Sequence, residues 1–114
     1  MERLKTRLEE IIEKAKGAQK ATCKVNVFKQ PVKYLVHPEA EITEEMEAFL
    51  YTADFDFDID GKHYIVRKTY ATEFATESFE AKRACRNLAN ARLKEDYKRL
   101  KEAGIEVEEK FFEE

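Results

Sequence analysis

The chain has 114 residues, of which 43 % are hydrophobic and 11 % aromatic. That is enough for one domain with its own core and too few for two, and the chain is too apolar to stay disordered. Charged residues make up 39 %, and the net charge of −3 hides blocks: +5 over residues 1–38, −9 over 39–60 without a single base, +6 over 61–101 and −5 over 102–114. An acidic balance argues against a simple nucleic-acid-coating protein, but the blocks leave room for one basic surface.

Leu4, Leu8, Ile11, Ile12 and Ala15 fall on one stripe, which predicts an amphipathic helix over about residues 2–19, with Gly17 near its end. Met1-Glu2-Arg3-Leu4-Lys5 reads as the opening of that charged helix rather than as a leader. No apolar run approaches the ~20 residues of a membrane span, so the expected location is the cytoplasm, with no membrane partner.

Cys23, Val25 and Val27 alternate with Lys24 and Asn26, predicting a strand in about 22–36. Pro31 cannot donate to a ladder and marks a bend, a bulge or an edge. Val32–Val36 either continues this strand or returns as a second one. His37-Pro38-Glu39-Ala40-Glu41 is a connector. Thr43 to Ala48 reads either as a short helix capped by Thr43 or as the approach to a strand, and a strand over about 46–59 is preferred.

The strongest local signal is a hairpin. Phe49, Tyr51, Ala53, Phe55, Phe57 and Ile59 alternate with Asp54, Asp56 and Asp58, and Asp60-Gly61 suits a two-residue type I′ turn into a strand over about 63–72. If Ile59 pairs with Lys62, then Phe57 meets Tyr64, Phe55 meets Val66, Asp58 meets His63 and Asp54 meets Arg67, all favourable cross-strand pairs. Continued without a break, the register puts Tyr51 opposite Tyr70.

Thr76 or Ser78 then caps a helix over about 77–103, with Gly104 as its stop. Its inner face is expected to be Ala81, Ala84, Cys85, Leu88 and Ala91. Leu93, Tyr97 and Leu100 form a second, shifted patch expected to leave the sheet or meet another element. Residues 105–114 give a short acidic strand or tail in which Phe111 and Phe112 dock. The expected fold is a single α+β domain over 1–114, a two-layer sandwich with an antiparallel sheet of three to five strands and two helices on one face.

Chemistry-bearing motifs are few. Asp56-Phe57-Asp58-Ile59-Asp60-Gly61 has the D-x-D-x-D-G opening of a calcium loop, but the twelfth position is Arg67 where a bidentate Glu is needed. Asp56, Asp58 and Asp60 stand as the candidate metal ligands, against the plainer reading of a solvated strand face. His37 and His63 have no motif partner, Ser78 has no nucleophile-elbow context, and three scattered glycines build no phosphate cradle. No cofactor is expected, and neither is catalysis. Cys23 and Cys85 show no metal spacing and are expected to be reduced thiols.

The remaining signal is basic: Lys82, Arg83 and Arg86, followed by Arg92, Lys94, Lys98, Arg99 and Lys101 on one helix. The order helix, strands, hairpin, helix resembles the α-β-β-β-α layout of double-stranded-RNA-binding domains. Lys82-Arg83-Ala84-Cys85-Arg86 with Asn87-Leu88-Ala89 is similar to the basic cluster with which that family grips phosphates. The resemblance implies shape-led, salt-dependent RNA binding through Lys82, Arg83 and Arg86. The leading expectation is nonetheless a non-enzymatic interaction protein that binds a protein partner or itself, with nucleic-acid binding as the first alternative and a divalent-metal site or enzyme on the aspartates as the second.

Overall fold

A computed structural model of the protein describes residues 6–36 and 44–113, with backbone alone for residues 35, 36 and 44. The elements are α1 (Arg7–Lys16), β1 (Ala21–Val36), β2 (Glu44–Ile59), β3 (Lys62–Phe74), α2 (Phe79–Glu102) and β4 (Glu106–Val107). The sheet order is β3-β2-β1-β4, and both helices cover one face of it, as an α+β sandwich. The three long strands are antiparallel, and β4 joins the start of β1 in parallel at Thr22 and Cys23. Leu4, the His37–Glu41 connector and the Thr43 cap lie outside the described residues.

The first helix is shorter than its apolar stripe suggested, because Thr6 caps it: the Thr6 hydroxyl accepts from the Glu9 amide at 3.2 Å. Leu8, Ile11, Ile12 and Ala15 are all buried. β1 runs unbroken through Pro31, and Val32–Val36 continues it. β4 borders β1 only at its first residues, so Pro31 costs no ladder bond on that side. Residues 44–50 are strand rather than helix.

The hairpin register follows the sequence from Ile59↔Lys62 to Asp54↔Arg67. Asp60 and Gly61 both take positive φ, 50° and 85°, as a type I′ turn requires. Beyond Thr52↔Thr69 the expected register fails. The partner of Tyr51 is Ala71, not Tyr70, because a bulge makes Tyr70 an extra residue. α2 stabilises the bulge: the Tyr70 hydroxyl donates to Asp96 at 2.6 Å, and Arg92 donates to the Tyr70 carbonyl at 2.8 Å.

The expected inner face of α2 needs correction. Ala84, Leu88 and Ala91 face solvent, Leu88 being 46 % exposed. The stripe that meets the sheet is Ala81, Cys85, Ala89, Leu93, Tyr97 and Leu100, half-buried at Ala81 and Cys85 and buried from Ala89 on; each step of four residues overshoots a full turn by about 40°, so the stripe winds around the helix. Leu93, Tyr97 and Leu100, the expected second patch, lie in the best-buried part of this stripe, where Tyr97 also meets another element, the C-terminal segment.

After the Gly104 stop, Ile105 enters the core and the chain returns along α2. The Tyr97 hydroxyl donates to the Lys110 carbonyl at 2.6 Å. Asn90 bonds the backbone of Phe112 through both ends of its amide, at 2.8 and 3.0 Å. Phe112 docks edge-on against Tyr51, with ring centroids 5.0 Å apart. The expected docking of both phenylalanines holds, with Phe111 on the rim against Tyr97.

The radius of gyration is 17.1 Å and the longest extent 57 Å, against about 13 Å for a compact chain of this size. The β1–β2 ribbon accounts for the length, since its last four pairs run past the end of β3. Among the described residues no helix is long and apolar enough to cross a membrane.

Candidate nucleic-acid interface

Strand alternation sorts the charges onto two faces. Asp54, Asp56 and Asp58 lie on the face away from the helices, with His63 and Arg67 opposite them. Arg67 clasps Asp54 with two bonds of 2.7 and 2.9 Å and holds that carboxyl below its usual pKa range. His63 stands 3.7 Å from both Asp56 and Asp58. Asp60 is turned away from them: its carboxylate accepts from the backbone amides of Gln19 and Lys20 at 3.0 and 2.9 Å, closing the α1–β1 loop against the hairpin turn. Asp58 also accepts from the Gly61 amide at 3.0 Å. Asp56 and Asp58 thus share His63 while Asp60 is bonded to the α1–β1 loop, and among the described residues no three potential ligands converge on a metal position.

Lys82, Arg83 and Arg86 are brought together. The Ser78 hydroxyl caps α2 by accepting from the Ala81 amide at 3.1 Å, which places the three cations on the first turns of the helix. They border an open cleft of about 360 Å³ formed between the start of α2, the middle of β1 and β2 and the end of β3. Lys29 comes from β1, Phe49 and Tyr51 from β2, and Glu73 from β3; Phe79 and Glu113 complete the lining. Among the described residues, four cations therefore face two carboxylates in this cleft.

One of those carboxylates is bonded to the protein through each of its oxygens. Glu73 is 3 % exposed, receives the Tyr51 hydroxyl at 2.8 Å and pairs with Lys29 at 2.9 Å. Burial pushes its pKa up, but the bonds from Lys29 and Tyr51 and the charges of Lys29 and Lys82 outweigh burial and hold the carboxyl below its usual range. Burial and the same carboxylate push the Tyr51 hydroxyl up, so it remains a neutral donor. Cys85, half-buried behind the cleft, donates to the Thr72 carbonyl at 3.3 Å, and its thiol is also pushed up, first by burial and then by Glu73. Cys23 is buried and held up at about 12. Both cysteines are free, and neither is activated as a nucleophile.

The sequence reading found three of the four cleft cations and missed Lys29, Tyr51, Glu73 and Phe79 as neighbours. Lys29 carried a usable signal, because it sits in the inward phase of β1, where Cys23, Val25 and Val27 are apolar. Glu73 carried none, because it faces the helices only through the bulge at Tyr70, which reverses the phase of every later residue in β3.

Comparison with protein-family models, with curated proteins and with solved structures finds no match to this chain.

Proposed function

We propose that the protein is a non-catalytic binding module that grips the sugar-phosphate backbone of duplex RNA with the start of α2. The observation that carries this reading is the convergence of Lys29, Lys82, Arg83 and Arg86, from two elements, on one open cleft. The sorting of charge supports it. The aspartate run that weighed against nucleic acid in the sequence lies on the opposite face of the sheet, so Asp54, Asp56 and Asp58 do not oppose phosphates at α2.

Fluorescence anisotropy with labelled duplex RNA, duplex DNA and single strands across a salt series tests the proposal. Duplex RNA should bind at low salt, with log affinity falling against log salt at a slope of about −2.7 if Lys82, Arg83 and Arg86 meet phosphates while Lys29 stays paired with Glu73. The triple variant Lys82→Glu, Arg83→Glu, Arg86→Glu should lose binding while circular dichroism shows the chain still folded. Undiminished affinity of that variant would sink the reading.

A second reading, self-association, rests on a different observation. On the face away from the helices Phe28, Val32, Leu50 and Phe74 are only half-buried, and Tyr34 is 41 % exposed and packs on Phe74 with ring centroids 6.0 Å apart. A second copy would cover this apolar end. Analytical ultracentrifugation decides it: a dimer that survives high salt supports the apolar contact, a dimer lost in salt points to charge pairing instead, and a monomer at all concentrations rejects self-association.

A further inference from the structure

Resting on the duplex-RNA reading above, we infer that the same cleft holds one unpaired base beside the duplex, stacked on Phe79 and read by Glu73. Phosphate contact explains the cations of the cleft but not its aromatic walls or its buried carboxylate.

Phe79 is the first residue of α2 and is 69 % exposed. A ring so open contributes little to folding. It is nevertheless oriented: the Arg83 guanidinium lies 5.0 Å from its centroid, bracing the ring within the cationic cluster. Phe49 lines the same cleft from β2, with the Lys29 ammonium 5.0 Å from its centroid. An aromatic platform between phosphate-binding cations is the arrangement that single-stranded nucleic-acid sites use, because every base offers a π face for stacking. The volume of about 360 Å³ falls within the range of small-ligand pockets.

The buried polar group supplies selectivity. Each Glu73 oxygen takes one bond from the protein, Oε1 from Tyr51 and Oε2 from Lys29. A carboxylate has about four acceptor positions, so about two remain for a ligand in the cleft that Glu73 lines. Its lowered pKa keeps it ionised and acceptor-only. A base that enters must therefore present hydrogen-bond donors. Guanine, with N1–H beside its exocyclic amine, and the exocyclic amines of cytosine and adenine meet that demand, whereas uracil offers only N3–H between two carbonyl oxygens and sets one of those oxygens where cytosine carries its amine. Both carboxylate partners are placed by their neighbours, the Lys29 ammonium 5.0 and 5.3 Å from the Phe49 and Tyr51 ring centroids and Tyr51 edge-on to Phe112, so the acceptor is oriented before any ligand arrives.

The test compares labelled RNA duplexes that are blunt, that end in a short cytidine overhang, or that end in the matching uridine overhang, at one salt concentration. The expected result is about tenfold tighter binding of the cytidine overhang than of the blunt duplex, with a smaller gain for uridine. Phe79→Ala should remove the gain while Phe79→Trp retains it, and Glu73→Gln should erase the difference between cytidine and uridine. Equal binding of blunt and overhanging duplexes, or a gain that survives Phe79→Ala, would overturn the base site while leaving the duplex reading intact. Failure of every duplex to bind at low salt would overturn the duplex reading and this inference with it.

Discussion

From Ala89 onward α2 buries Ala89, Leu93, Asp96, Tyr97 and Leu100 against the sheet and the returning C-terminal segment. Before Ala89, none of residues 79–88 is buried, and this half carries Phe79, Lys82, Arg83 and Arg86. One continuous helix thus has an anchored half and a presented half. Asp96 shows how firm the anchor is: it is 3 % exposed and accepts from Tyr70 at 2.6 Å and Lys68 at 2.7 Å, so its charge is compensated where it is buried. The comparison shows that the anchored half positions the cleft, while the presented half is spared from the core and can carry cations.

The contrast can be broken by substitution. Tyr97→Ala removes a fully buried ring together with its two bonds to the Lys110 backbone. It should cost about 4 kcal/mol in chemical denaturation, and a cost below about 1 kcal/mol would show that this half is not an anchor.

Glu73→Gln should cost less, about 1.5 kcal/mol at neutral pH, for the loss of charge-assisted bonds. The pH dependence sharpens the assignment. The folded-state pKa of Glu73 is depressed, so its contribution is present above the unfolded value of about 4.3 and is lost as pH falls through the folded value. The gap in melting temperature between wild type and Glu73→Gln should therefore narrow from pH 7 to pH 3. A gap that does not change would show that the carboxylate is not held in its charged form by Lys29 and Tyr51.

Leu88→Ala should have the smallest effect, within about 0.5 kcal/mol, because this leucine lies on the solvent side of the presented half. A loss of 2 kcal/mol or more, as expected of a core leucine, would erase the distinction between the halves.

How much of this was legible in the sequence follows from the range of the interactions involved. The hairpin from Asp54 to Arg67 was readable pair by pair, because alternation and an Asp-Gly turn are local signals and the turn sets the register beside it. The helix caps at Ser78 and Gly17 were readable for the same reason. The cationic cluster on α2 was readable as a cluster because Arg86 lies four residues from Lys82 and three from Arg83, separations that make side chains neighbours on a helix surface.

The inner face of α2 was misread because small residues such as Ala84 and Ala91 suit either side of a helix, and only the sheet decides which side is inward. The bulge at Tyr70 has no local signature, since what stabilises it arrives 22 and 26 residues later, at Arg92 and Asp96. The cleft inherits that dependence. Local periodicity and turn chemistry by themselves determined two helices, the hairpin, its charged and aromatic faces, and the basic cluster. Tertiary structure alone turned Glu73 inward, laid Phe112 on Tyr51 and brought Lys29 to the start of α2, because each of these contacts joins residues that are distant in the chain and become neighbours only when the sheet and α2 pack together.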